Sequence, residues 1–398
     1  MGEVIGPLRP ADKTEVWAHV NTIFSVHNNP INRVIREISR EAAQAGISSW
    51  VAASNRRECD FGVAGQIPVD YCRYLEREYM LPRELWIDAA LARLGVSRRY
   101  MARRVRPAAE ALAASGFGFT AAFVHDGYYG MYVAGAVASA IPRVPTFVYV
   151  HNSLSRSYTR REKIAVLEQV AAVICVSEYM REEVASSLRL PRFEDKLKAV
   201  LNGVDTDTFY PAAERPEGPI RIAFAGRMIP EKGPLLLAKA LLAIRDLPFE
   251  AGFVGSSGFV PGEALSAYER EVRKSLSSIS EKVVFRGLVK SEDMPDEYRR
   301  YDILVAPSVM EDPCSLVILE AMASGLAVVC SGRGGMREEG GDAVLYASEP
   351  KGLAEVLSEL IRNDSLRQEL GRRARKRAET LTWRRTFNQL SELVRATS

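Results

Sequence analysis

Two carboxylates eight residues apart, Asp312 and Glu320, stand in the stretch PSVMEDPCSLVILEAMASG (307–325), where a loop gives way to an apolar run. The segment before them, YDILVAPS (301–308), is short, apolar and β-branched, the pattern of a buried strand. Such a strand delivers the chain to the crevice outside a parallel sheet's carboxyl edge, where open α/β folds bind ligands. The pattern predicts a helix starting near Ser315. Its first amides, such as that of Leu316, lack intrahelical partners and would face the crevice as donors to hydroxyl or phosphate oxygens. Asp312, just before the helix, could accept hydrogen bonds from sugar hydroxyls. Glu320, more than a turn inside it, could grip a vicinal diol such as a ribose with both oxygens. An ordinary capped helix with Glu320 in solvent would carry the same residues.

A second segment, IRIAFAGRMIPEKGPLLLAKAL (220–241), has the order strand, loop, helix. Arg227 and Lys232 share a loop opened by Gly226 and closed by Gly233 and Pro234. Two cations at a strand's carboxyl end could neutralise a diphosphate, Arg as a planar fork and Lys as a mobile point charge, without a metal ion. A solvated basic turn is the alternative. No Gly-Lys-Ser/Thr follows the glycines, so this is not a Walker loop, and no GxGxxG follows the first strand, which disfavours a nicotinamide dehydrogenase.

With FRGLV (285–289) and LNGVDTDTFYP (201–211), these segments resemble glycosyltransferase family 4, retaining enzymes of the GT-B fold. The resemblance is dense from about 172 to 346 and thin before 120. It implies an α/β chain of two doubly wound Rossmann-like domains facing each other across a cleft. An acceptor-side domain would span 1–205, with the terminal helix within 381–398 packing back on it, and a donor-binding domain 206–380. It further implies that Arg227 and Lys232, after Gly226, hold the diphosphate of a nucleoside diphosphate sugar, most commonly a UDP-sugar. Val289 would meet the base through its backbone, Asp312 with the amides of Cys314, Ser315 and Leu316 the sugar, and Glu320 the ribose. The chain departs from the family twice. Asp312 replaces the usual Glu, with Glu311 immediately ahead of it, and Asn29 and Pro30 replace a Gly-Gly pair, where Pro30 has no amide proton to give a phosphate.

All four histidines, His19, His27, His125 and His151, fall in the first half. His27, His125 and His151 stand at the ends of predicted strands. Their wide spacing, with no HxH or HxxxH cluster, argues against a metal site. His151, in YVHNS, matches a family position near sugar and acceptor and is expected to orient or stabilise the reacting groups; a histidine satisfied within the core is the alternative. The implied reaction has the acceptor hydroxyl attack from the face that the nucleoside diphosphate leaves, the leaving phosphate taking its proton. Arg227, Lys232 and the helix amides would stabilise the growing charge. No protein nucleophile, cofactor or metal is expected. The acceptor is expected to be a small natural product, or a cell-surface glycan or lipid. The rival readings are a nucleotide-sugar 2-epimerase of the same fold and a non-catalytic nucleotide-sugar-binding regulator.

The 398 residues suffice for two domains, and a 47% hydrophobic content is that of a globular protein. Fifty-three basic against fifty acidic residues leave +3, too little field to call for nucleic acid. Five cysteines with no CxxC pair argue against a disulfide framework or zinc ribbon. With no signal-like start and no unbroken apolar span, a cytoplasmic protein is expected. Strand-like runs alternate with helical patterns, at 17–26, 48–53, 120–124, 145–150 and 171–176, then at 220–226, 250–255, 282–287, 302–308 and 326–330, the signature of βαβ units. YPAAERPEGP (210–219) reads as a linker. Residues 55–118 are the hardest to interpret. Their arginines, Arg93, Arg98, Arg99, Arg103, Arg104 and Arg106, fit a solvated helix face or a peripheral contact at the inner face of a membrane through 93–106. The RRARKR run (372–377) is expected to be solvated.

Overall fold

The computed structural model describes residues 15–21, 30–54, 63–69, 82–98, 100, 105–126, 130–152, 154, 158–214, 217–258 and 264–397. The first half supplies β1 (Val16–Asn21), β2 (Ser48–Ser54), β3 (Gly65–Val69), β4 (Ala121–His125), β5 (Thr146–Val150), β6 (Ala172–Cys175) and β7 (Leu197–Ala199). They form one sheet in the order β3-β2-β1-β4-β5-β6-β7. The second half supplies β8 (Ile220–Ala225), β9 (Phe249–Val254), β10 (Val283–Gly287), β11 (Ile303–Ala306), β12 (Ala327–Cys330) and β13 (Leu345–Tyr346), ordered β10-β9-β8-β11-β12-β13. Neighbouring strands pair in parallel in both sheets. Each order reverses beside its first strand, at β1/β4 and at β8/β11, and such switch points open the crevices in which doubly wound folds take ligands.

The central strands are apolar runs rather than alternations because helices cover both faces of each sheet. Every residue of β1, β4, β5 and β6 is buried. Trp17, Phe123 and Phe147 fill the first core, with Trp17–Phe123 and Phe123–Phe147 ring centroids each 5.1 Å apart. The last helix, Trp383–Arg395, is capped by the Thr382 side chain and packs Trp383, Phe387, Leu390 and Val394 into that same core, Phe387 lying 5.4 Å from Trp17. Gly203 stands where the chain crosses this helix's start: a Cβ there would lie 2.3 Å from the Trp383 nitrogen.

Three expectations need correction, and one lies partly outside the described residues: the first strand is described over Val16–Asn21, while residues 22–29, with His27 and Asn29, fall outside, as do Cys59 and Cys72. Strands β3, β7 and β13 went unpredicted, the last two being three and two residues long, too short to show a period. In the arginine-rich segment, Arg99, Arg103 and Arg104 lie outside the described residues, and Arg98 is turned inward. Its amide donates to Glu162 Oε1 at 2.6 Å and its guanidinium lies 5.6 Å from the Tyr132 ring, because a buried carboxylate needs a partner. Nor is the RRARKR run wholly solvated. Arg375 donates to the carbonyls of Thr206, Phe209 and Ala323, and Arg377 to those of Glu338 and Glu339, as guanidinium forks do at helix ends with unpaired carbonyls.

Candidate active site

Where the carboxyl ends of the two sheets meet there is a cleft of about 440 Å³, within the range of small-molecule sites. The residues expected to bind the donor or act in the reaction line it: His151, Gly226, Arg227, Lys232, Val289, Asp312, Cys314, Ser315, Leu316 and Glu320. A larger groove of about 830 Å³ runs between the Pro234–Ala243 and Pro350–Arg362 helices. It is a surface trough lined by Lys239, Lys351 and Arg362 together with Glu355 and Glu359, and no strand residue lines it.

The cation loop leaves β8 at Gly226, whose amide donates to the Val254 carbonyl at 2.9 Å. Gly233 closes it at φ +72, pressed so close that a Cβ would lie 2.1 Å from the Pro307 oxygen. The amides of Val309 and Met310 donate to the Glu231 carbonyl at 2.9 and 3.2 Å, laying this loop on the one after β11. That packing brings Lys232 Nζ to 2.5 Å from Asp312 Oδ2. The cation expected on the phosphate and the carboxylate expected on the sugar thus neutralise each other. Asp312 is fixed in turn by its carbonyl, which accepts from the Gly335 amide at 2.8 Å.

The helix after it spans Leu316–Ala323, with Ser315 at its N-cap. The Ser315 side chain makes no cap, and its amide donates to Glu339 Oε1 at 2.5 Å. The Ser315 amide is therefore engaged, a departure from its expected place on the sugar. Glu339 is fully buried beside the Cys314 thiol, and burial pushes both well above their ordinary pKa ranges. Leu316 opens the helix, so its own amide keeps no partner within it.

Glu320, 4% exposed, is met from across the cleft by Arg33, whose Nη1 lies 2.5 Å from Oε1 and whose guanidinium lies 5.2 Å from the Phe209 ring. Burial raises the Glu320 pKa, and Arg33 and the neighbouring Tyr298 hydroxyl pull it back only in part. A second strut joins the halves: the Glu338 carboxylate accepts from the amides of Glu178 and Tyr179, each at 2.6 Å, at the start of the Glu178–Leu188 helix.

Sequence reasoning missed Arg33, Tyr298 and Glu339. Arg33 had a signal, as a cation one turn past Pro30 in HNNPINRVIRE. Tyr298 and Glu339 had none, since only the fold turns them to the helix that carries Glu320. Of the histidines, His27 lies outside the described residues, His125 and His151 pair with each other, and the third imidazole in line is His19, inside β1, which pairs with His125. Their nitrogens pair with one another instead of converging on a point, and among the described residues no cluster of metal-ligating side chains occurs.

Residues 31–208 match the family described as Glycosyltransferase Family 4, and residues 219–363 that described as Glycosyl transferases group 1. The chain belongs to the family 4 glycosyltransferases. The match junction falls between β7 and β8, so each sheet of this GT-B glycosyltransferase has its own family signature. Spore coat protein SA of Bacillus subtilis is 29% identical over 265 residues, 61% of this chain and 70% of that protein. The D-inositol 3-phosphate glycosyltransferase of Saccharomonospora viridis is 30% identical over 220 residues, half of each chain. Among solved structures, a glycosyltransferase from Rickettsia africae superposes with a TM-score of 0.72 at 14% identity, over 97% of this chain and 99% of that one. HepE of Anabaena in complex with UDP superposes with a TM-score of 0.67 at 15% identity, over 96% and 100%.

Proposed function

We propose that this glycosyltransferase moves a sugar from a nucleoside diphosphate sugar to an acceptor hydroxyl with retention of anomeric configuration and without a metal ion. The observation that carries the reading is the convergence of Arg227, Lys232 and the Leu316 helix start on one cleft with Asp312 and Glu320. Cations and helix amides suit a diphosphate, and the carboxylates among them suit hydroxyls. UDP is the favoured diphosphate, supported by its presence in the complex of the similarly folded HepE.

In the reaction the acceptor oxygen bonds to the anomeric carbon as the bond from that carbon to the phosphate oxygen breaks. The acceptor proton passes to the leaving phosphate on the same face, giving the glycoside and the nucleoside diphosphate. Arg227 and Lys232 stabilise the charge that grows on that phosphate. For Lys232 this requires leaving Asp312, which is then free for a sugar hydroxyl. The acceptor is a small natural product, a glycan or a lipid. Incubation with UDP-sugars and candidate acceptors tests the reading: glycoside and free UDP support it, whereas an epimerised sugar nucleotide, or binding without any product, replaces it with one of the rivals.

No helix among the described residues is long and apolar enough to cross a membrane. Peripheral contact with an anionic bilayer is supported by the outward face of the Pro82–Arg93 helix and the turn after it. Trp86 and Leu94, 72% and 76% exposed, stand there with exposed Ile87, flanked by exposed Arg83 and Arg93. Aromatic and basic side chains together suit the headgroup layer.

A further inference from the structure

Three imidazoles stand in file from the core to the cleft. His19 Nδ1 lies 2.9 Å from His125 Nε2, and His125 Nδ1 lies 3.0 Å from His151 Nε2. They sit on β1, on the end of β4 and just past β5, so parallel register sets the spacing: His19 is paired across from Phe123, and His125 from Tyr149. His19 and His125 are fully buried and His151 lines the cleft. Stacking holds the rings, with Phe123 against His19 and Tyr149 against His151.

Each link needs one N–H and one bare nitrogen, so the protons of three neutral rings must point the same way along the file. Two arrangements satisfy this. In one, every ring carries its proton on Nε2, and the file ends in the core with His19 Nε2–H. In the other, every proton is on Nδ1, and the file ends in the cleft with His151 Nδ1–H. The deep end decides between them. His19 Nε2 is buried with no hydrogen-bond partner, and a buried donor left without an acceptor is rarer than an under-satisfied acceptor. Nor does the file relay a proton inward. Burial lowers the pKa of His19 and of His151 to about 3 and that of His125 well below its ordinary value, so an imidazolium at the core end would be strongly disfavoured.

We infer that His19 and His125 are positioning residues that lock His151 as the neutral Nδ1–H tautomer, making it a fixed hydrogen-bond donor to the cleft and not a base. The functional part rests on the reading that His151 acts on the reacting groups. The tautomer itself can be tested apart from activity.

Long-range ¹H–¹⁵N NMR of the ¹⁵N-histidine-labelled protein at pH 7 should show, for all three residues, a protonated Nδ1 and a bare Nε2. A protonated Nε2 at any of them, or a mixture at His151, overturns the inference. In a folded His125→Phe variant, His151 loses the partner of its Nε2. Its signals should move toward a tautomer mixture, and kcat should fall about tenfold with donor affinity unchanged. An unaltered His151 spectrum there also overturns it, and should that variant not fold, the wild-type spectrum decides alone. If the tautomers are as stated but His151→Ala leaves turnover intact, the lock stands and the role given to His151 falls.

Discussion

Replacing Asp312 by Asn should make the protein bind UDP more tightly while it loses turnover. Lys232 Nζ is 2.5 Å from Asp312 Oδ2, and the two side chains are 26% and 7% exposed. A hydrogen bond between charged partners is worth about 1.5 to 3 kcal/mol, discounted toward about 1 kcal/mol by the solvent on Lys232 and by the amide oxygen that Asn keeps. Lys232 gives up that energy whenever it turns to a diphosphate. Removing the carboxylate charge returns it, so UDP affinity should rise about fivefold, as about 1 kcal/mol requires. Lys232→Ala should weaken UDP by about 1 to 3 kcal/mol and leave uridine unaffected. Isothermal titration calorimetry of both variants with UDP, uridine and UDP-sugar separates the contributions. Equal weakening of UDP in the two variants would refute the reasoning, because Asp312 would then be part of the diphosphate site and not its competitor.

Two further outcomes follow from the buried groups. Arg33→Ala leaves buried Glu320 with no cation from across the cleft, so the variant should lose about 2 kcal/mol in chemical denaturation at pH 7, and adding UDP should restore part of it; an unchanged midpoint would make the Arg33 contact incidental. Unfolded imidazoles take their protons as pH falls through about 6.5, whereas His19 and His151 in the folded chain take theirs only near about 3, so the unfolded state binds more protons between those values and stability falls as pH drops through that window. Glu320 and Glu339, with raised pKa values, act in the opposite sense, so the useful quantity is a difference. His151→Phe should lose about 2 kcal/mol less than the wild type between pH 7 and pH 5, and equal losses would mean that His151 titrates normally.

What could be recognised from the sequence was what local pattern encodes. β4, β5, β8, β9, β11 and β12 are apolar runs bounded by turn residues, and the Leu316 helix begins within a residue of its predicted start. The pairing of residues across the cleft was not legible. Glu320 and Arg33 are 287 positions apart, and nothing near either names the other. The Ser315 amide was expected to be open because Glu339, which takes it, comes from the next strand-to-helix turn. The histidine file was hidden for a related reason: three residues 106 and 26 positions apart become neighbours only once β1, β4 and β5 pair in register. Short edge strands such as β7 and β13 owe their form to the neighbour they pair with more than to any propensity of their own.

If paired cations and helix amides, not a metal, carry the leaving-group charge in a same-face transfer, one NMR experiment shows both the configuration and the metal independence. The protein is incubated with an α-linked UDP-sugar and a hydroxyl acceptor in excess EDTA, and the anomeric coupling of the new glycoside is measured before mutarotation or hydrolysis can blur it. An α-linked product formed at the rate seen without chelator is expected. A β-linked product, or turnover abolished by EDTA and restored by one divalent cation, would contradict it.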